Sequence, residues 1–357
     1  MNPPRGRHVR FLLVGCLLAV GCDARPEVER ISVDSGPNEG IWISRAEVRV
    51  LPTSGAAWDS LVDYARLPVA KPDLSNQDDG SNVRILAKAL YSVRTGDAES
   101  AREVEQACER IQGTETNANT LALARELMAY VIAADLVGLD GAQRARFESW
   151  LRQVSSQTFK GRTLRSTHED RPNNWGTHAG ATRIAIAVYL GDSNEVERAA
   201  QVFRGWTGDA DGWQAFGFGA DWWQPAQVRR FAVNPRGSKR DGHDIGGVLA
   251  DDQRRAGPFR WPPPRENYVY EALQGAVAQA ALLERRGYDS FLWGDRALLR
   301  AFEWLHTEAD FPAKGDDTWL PHVVNRAYGS KFPAPIPSKP GKAMGFSDWT
   351  HAPQTNG

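Results

Sequence analysis

The sequence predicts an all-α protein built of tandem helical hairpins, and three observations carry that prediction. Apolar residues recur at helical spacing in eight segments, several of these segments stop at the same Gly and Asp punctuation, and no run alternates as a core strand would.

The eight segments are 83–93, 104–111, 120–136, 147–154, 179–190, 196–203, 268–283 and 297–305. Apolar positions three and four residues apart form one stripe of a helix, and that stripe needs another element to cover it. The punctuation reads Thr95-Gly96-Asp97, Leu139-Asp140-Gly141, Leu190-Gly191-Asp192, and Gly287-Tyr288-Asp289 followed by Gly294-Asp295. Gly supplies a left-handed stop, and Asp begins the next turn or caps the next helix. Such hairpins close into a ring or stack into an open solenoid, and the period alone does not separate the two.

The N-terminus reads as an address. Arg5, Arg7 and Arg10 precede an apolar run over 11–21 that ends in Leu18-Ala19-Val20-Gly21-Cys22. The run is far shorter than the ~20 residues that span a bilayer, and small residues before a Cys resemble the bacterial lipobox. The expectation is a lipoprotein signal peptide over 1–22, cleaved before Cys22, whose thiol carries the lipid. The protein is then exported and membrane-anchored, at the periplasmic face or the cell surface. Residues 23–52 mix Pro, Gly and charge without a period and read as a tether and irregular lead-in; 53–357 form the helical domain. The stretch from Phe311 onward, rich in Pro and Gly, is expected to wrap that domain.

Of three cysteines, Cys16 lies in the signal and Cys22 carries the lipid, so Cys108 alone cannot form a disulfide framework or a Cys metal site. No metal and no cofactor is expected. A net charge of −1 argues against a globally basic nucleic-acid binder. Thirteen tryptophans are the oddity of composition.

The longest irregular stretch, 205–266, exceeds a plain connection and is a candidate functional region. Between Arg229 and Arg265 it holds nine Lys or Arg against four Asp, and Trp206, Trp213, Trp222, Trp223 and Trp261 fall within it. Cations beside flat aromatic faces suit an acidic sugar polymer, since sugar C–H faces pack on rings and Arg pairs carboxylates; core packing is the alternative for at least half of these Trp. Two segments concentrate the polar chemistry. Arg171-Pro172-Asn173-Asn174-Trp175-Gly176-Thr177-His178 opens a helix, where the Asn pair is either a cap or a set of donors for a substrate carboxylate. Gly242-His243-Asp244 leads through Asp251-Asp252-Gln253-Arg254-Arg255 and a Pro-rich bridge to Glu266-Asn267-Tyr268-Val269-Tyr270, which opens another.

At these two segments, and over roughly 171–305, the chain resembles the alginate lyase family, polyuronate lyases of the α/α toroid fold. Asn173-Asn174 and the helix ending in Leu190-Gly191-Asp192 are similar to the family's Asn-Asn-His segment. Residues 247–255 with Tyr268 and Leu273 are similar to its Gly-Ser-Leu-Pro-x-Glu-x-x-Arg segment and following Tyr and Ala-Leu. The resemblance implies an incomplete α/α toroid with long irregular loops and a lyase that cleaves alginate or a related polyuronate, such as glucuronan, by β-elimination. It implies that Asn174 neutralises the uronate carboxylate, that Arg255 is essential and that Tyr268 is the catalytic Tyr. The family's His is Trp175 here, and the Arg-to-Tyr spacing is lengthened, so His178 or His243 supplies the imidazole. Asn173, Trp175, Trp222, His243, Arg254 and Tyr270 are expected to bind substrate.

The chemistry is consistent with these types. The C5 proton of a uronate is weakly acidic while its carboxylate is charged, so donors must first neutralise it; Asn174, His178 and Arg255 are assigned that work. A phenol titrates near 10, too high for a base at neutral pH unless a cation lies beside it. Two alternatives remain. An inverting glycoside hydrolase on the same fold would use two carboxyls roughly 6.5 to 9.5 Å apart, drawn from Asp241, Asp244, Asp251, Asp252 and Glu266. A non-catalytic glycan-binding lipoprotein would keep the Trp-rich groove.

Overall fold

Fourteen helices, found among the residues described by the computed structural model (Met1, 40–69, 71–226 and 229–352), carry almost all of the regular structure. By contacts the chain divides into Met1–Ser35 and Gly36–Gly357, and all the helices belong to the second unit. The signal-peptide reading, including Cys22, lies outside the described residues. Among the described residues no helix is long and apolar enough to cross a membrane.

The eight expected segments become α3 (Ser81–Thr95), α4 (Ala98–Arg110), α5 (Thr120–Val137), α6 (Gly141–Ser156), α8 (Asn174–Tyr189), α9 (Ser193–Trp206), α11 (Tyr268–Glu284) and α12 (Trp293–Thr307). The punctuation works as its chemistry requires. Gly96, Gly138 and Gly191 take left-handed backbone at or just past helix ends, and Asp97, Asp140 and Asp192 each cap the next helix by accepting a first-turn N–H. The helices α1 (Arg45–Val50), α2 (Ala56–Arg66), α7 (Leu164–Asp170), α10 (Ala250–Gln253), α13 (Leu320–Tyr328) and α14 (Ser347–Thr350) were not among the expected segments. The small sheet is one hairpin, β1 (Lys239–Arg240) with β2 (His243–Asp244).

The hairpins close into a ring. α3 packs on α5, α5 on α8 and α8 on α11; α13, α14 and α2 complete the circuit back to α3. α5, α8 and α11 are buried along nearly their whole length, whereas α4, α6 and α9 each bury one stripe, as an outer layer does. The ends of α5, α8 and α11 meet around a cavity of about 590 Å3 lined by Gly138, Tyr189 and Arg286. Their starts gather at the opposite end, where Asn82 donates to the Arg125 carbonyl and Arg125 pairs with Glu271. This is an incomplete α/α toroid.

One boundary differs from the expectation. The lead-in expected to run irregularly to Pro52 contains α1, with a Ser44–Glu47 capping box, and Ile41, Trp42, Val48 and Leu51 join the core. A helix of six residues is too short to display a period, which is why the sequence concealed it. Between residues 311 and 352 the chain closes the ring through α13 and α14 and wraps it between them: Trp349 packs on Trp58 and donates to the Pro52 carbonyl, and Lys342 offers its carbonyl to Asn82.

The contact between α8 and α11 depends on Gly275, where an added Cβ would lie 2.4 Å from the Thr177 carbonyl carbon. Backbone cannot step aside as a flexible side chain can. Gly275→Ala is expected to lower the unfolding free energy by about 1–3 kcal/mol or more in urea melts. Gly141→Ala, where a methyl meets nothing within 4 Å, is the control and should be neutral or slightly stabilising.

Candidate active site at the mouth of the toroid

The site is built on the first turn of α8. After α7 the chain bends through Arg171-Pro172, and Trp206 holds the bend by donating its indole N–H to the Pro172 carbonyl at 2.8 Å. Asn173 is the cap: its side-chain oxygen accepts the Trp175 N–H at 3.2 Å, and its amide nitrogen donates to Asp251 at 2.9 Å. Asn174 does no capping. Its backbone N–H goes to Asp252 at 3.1 Å, while both polar atoms of its side chain are buried without a hydrogen-bond partner. One helical turn on, His178 is also fully buried, and neither ring nitrogen completes a hydrogen bond. Positions four apart share one helix face, so α8 carries two unpartnered polar groups along one line. Native proteins leave few such groups, and each calls for an explanation.

α11 supplies the facing wall. Its first residue, Tyr268, is 38% exposed, and the Arg255 guanidinium lies over its ring, 4.0 Å from the centroid. One turn further in, Glu271 pairs with Arg125 of α5, and the Glu271 backbone faces His178. Burial, with Arg125 and Lys342 nearby, holds His178 well below the usual imidazole range. It is therefore a neutral donor or acceptor at working pH and brings no positive charge. Burial likewise pushes Asp252 well above the carboxylate range, with Asp251 adding to the shift. Glu126, beside Arg125 on α5, is pushed up to about 9 by burial and by Asp79 and Asp78.

The other expected residues divide. Arg254 pairs with Asp251 at 2.8 Å and packs against Gly219, so it braces the loop that faces α8. Trp175 is half-buried with the Arg171 guanidinium over its ring at 4.9 Å, and Trp222 is exposed. His243 sits on the hairpin, stacked on Trp261 with centroids 4.3 Å apart and planes at 10°. Its surroundings are separate from those of His178. Tyr270 corrects an expectation: it is fully buried against Phe302 and Phe311, its hydroxyl donates to the Phe311 carbonyl at 2.7 Å, and it does not face solvent. Two positions along a helix from Tyr268, its side chain points about 200° away.

Arg125, Glu126, Glu271 and Lys342 were not foreseen. The available signal was the Arg-Glu pair inside the otherwise apolar 120–136 segment. Lys342 comes from the wrapping C-terminal strap; its ammonium meets Asp78 at 3.1 Å and Asp316 at 3.5 Å, and its N–H donates to Gln274. Among the described residues no three His, Cys, Asp or Glu side chains gather as a metal site. A cavity of about 450 Å3 lined by Arg152, Arg165 and Arg183 lies on the outer layer, away from Asn174.

The model of the alginate lyase family matches residues 73–214, a stretch that includes Asn173, Asn174 and His178 and stops before Arg255 and Tyr268. The alginate lyase resemblance read from the Asn pair therefore holds over that stretch. No curated protein matches the chain. Among solved structures, alginate lyase A1-III from Sphingomonas species A1 is similar at 12% identity and TM-score 0.57, over 87% of this chain and 93% of that one. A His→Ala variant of alginate lyase A1-III complexed with tetrasaccharide gives 13% identity and TM-score 0.56, over 90% and 96%. A Tyr→Phe variant complexed with tetrasaccharide gives 12% and 0.57, over 92% and 99%. Identities this low establish the shared toroid fold.

The buried histidines have a measurable consequence. His168 and His178 are held well below their unfolded value, and His351 is lowered to about 3, in each case chiefly by burial. The unfolded chain takes up these protons first, so stability is complete above about pH 6.5 and falls as pH drops, by up to about 1.4 kcal/mol per pH unit for each histidine. Melting temperature measured from pH 7.5 to 5 should fall, and less steeply in His178→Gln.

Proposed function

We propose that this chain is a polysaccharide lyase that cleaves a uronate-containing polysaccharide, alginate or a related polyuronate such as glucuronan, by β-elimination. The observation that carries the reading is a pair of buried groups on the face of α8 that meets the Tyr268 helix: Asn174, whose side chain has no partner, and His178, whose ring has only the Glu271 backbone facing it. A uronate carboxylate is the group such a pair suits: the amide and the neutral imidazole N–H each donate to one oxygen. Donors fixed before reaction stabilise the enolate-like charge without reorganising.

With the carboxylate so held, the C5–H bond breaks and its proton passes to a base. The C4–O4 bond then breaks, the electron pair forms the C4–C5 double bond, and O4 takes a proton from an acid. Tyr268, at the opening, performs the acid step; in a syn elimination its phenolate first takes the C5 proton and then passes that proton to O4. Arg255 holds the ring flat from one side and presents charge to the polyanion. Because Asn174 and His178 are buried, substrate engages them as the strap that carries Lys342, one of the charges acting on His178, gives way.

Beyond the reacting sugar, the His243–Trp261 stack and exposed Trp222 offer flat faces, and Arg240, which donates to the Asp221 carbonyl, and Arg260, next to Trp261 in the chain, supply charge. This combination supports a polyanionic glycan of several units. Of the carboxyls that a hydrolase would need, Asp251 holds Asn173 and Arg254, Asp252 accepts the Asn174 N–H, Asp244 the Gly246 N–H and Glu266 the Tyr268 N–H.

The exported, lipid-anchored location belongs to the same proposal and is supported by the lipobox-like Leu18-Ala19-Val20-Gly21-Cys22. Cys22→Ser is expected to abolish fatty-acid labelling and to move the protein from the membrane fraction. Labelling that survives the substitution excludes the anchor.

Purified mature protein offered alginate, glucuronan, pectate or hyaluronan should raise absorbance near ~235 nm with at least one, and Tyr268→Phe should lower kcat by about 100- to 10,000-fold through loss of proton transfer. New reducing ends without that absorbance would mean a hydrolase. Retained binding with neither signal would mean a glycan-binding protein.

A further inference from the structure

We propose that Asp252 is a positioning residue of the elimination: by taking the backbone N–H of Asn174 it fixes the start of α8 and aims the Asn174 amide at the substrate carboxylate. The inference rests on the lyase reading and adds a residue to it.

A helix leaves its first N–H groups without internal partners, and the cap residue ordinarily turns its own side chain back to satisfy one. At α8 the work is shared out differently. Asn173 caps the Trp175 N–H, and Asp252, from a separate short helix, takes the Asn174 N–H at 3.1 Å. The neighbouring carboxyl, Asp251, fixes the neighbouring asparagine from the same side and is itself fixed by the Gly219 N–H at 2.7 Å and by Arg254 at 2.8 Å. Two consecutive acids thus hold two consecutive asparagines. The outcome is an Asn174 side chain that is buried with no hydrogen-bond partner.

Asp252 can do this without a charge. Its second oxygen is buried and unpartnered, an expensive place for a full negative charge, and a neutral carboxyl still accepts an N–H. Arg254, Arg255 and Asp251 are the charged groups that face it. An asparagine would present the same accepting oxygen.

The test is a double-mutant cycle on the cleavage rate. Asp252→Ala should lower kcat by about 10- to 100-fold, the scale of a misaimed group, while KM stays within about threefold. Asp252→Asn should stay within about threefold of wild type. In an Asn174→Ala background the Asp252→Ala loss should shrink to less than about twofold, because both act through one amide. Losses that multiply across the two sites overturn the proposal, as does an Asp252→Asn variant as slow as Asp252→Ala, which would point to a charged or proton-transferring carboxylate. Should Asp252→Ala fail to fold, Asp252→Asn decides alone: near wild-type kcat with an unchanged pH profile supports positioning, and a collapse refutes it. A wild type that forms no unsaturated product on any polyuronate overturns the lyase reading and this proposal together; an active wild type with multiplying losses overturns this proposal only.

Discussion

A helix whose first turn is buried must find outside partners for backbone N–H groups that its own hydrogen bonds leave over. α8 meets this constraint with the Asn173 side chain and Asp252, and Asp251 holds the Asn173 amide in place. Much of the surrounding structure follows from it. The loop over 217–219 must approach closely enough for Gly219 to reach Asp251, Arg254 must lie against that glycine, and Trp206 must hold the preceding bend. The reward is chemical: an amide and an imidazole at the mouth of a toroid, preorganised and uncommitted.

The same logic extends across the ring. Gly275 lets α11 approach the Thr177–His178 backbone closely, which brings the Glu271 backbone of one helix to the His178 ring of the other. Arg125 and Glu271 tie α5 to α11 beneath them, and the C-terminal strap lays Lys342 over the opening. Buried ion pairs of this kind are weak evidence for stability and hold neighbouring helices in one geometry. Low local polarity also explains why His178 stays neutral and why Asp252 and Glu126 favour their protonated forms.

How much of this the sequence disclosed depends on which interactions are local. Helix periods and the Gly and Asp stops are local, and α3 to α6, α8, α9, α11 and α12 were legible from them. The short helices α1, α10 and α14 were not, because four to six residues show no period and tertiary contacts make them. Asn174 and His178 stood out by type and spacing. That Asn173 caps and Asn174 does not is decided by Asp251 and Asp252, 78 residues away. Tyr270 was misread because a pair of tyrosines looks alike in sequence, while a turn of helix sends one to solvent and the other to the core. The Arg125–Glu271 pair spans 146 residues, and nothing local announces it.

The central claim is that the free amide and imidazole of α8 receive a uronate carboxylate. The most direct measurement is a crystal structure of Tyr268→Phe, in which the proposed elimination is slowed, with a uronate tetrasaccharide. The account predicts one carboxylate with its oxygens within hydrogen-bond distance, about 2.7 to 3.2 Å, of the Asn174 amide and a His178 ring nitrogen. A tetrasaccharide seated elsewhere on the protein, with Asn174 and His178 still covered and untouched, would contradict it.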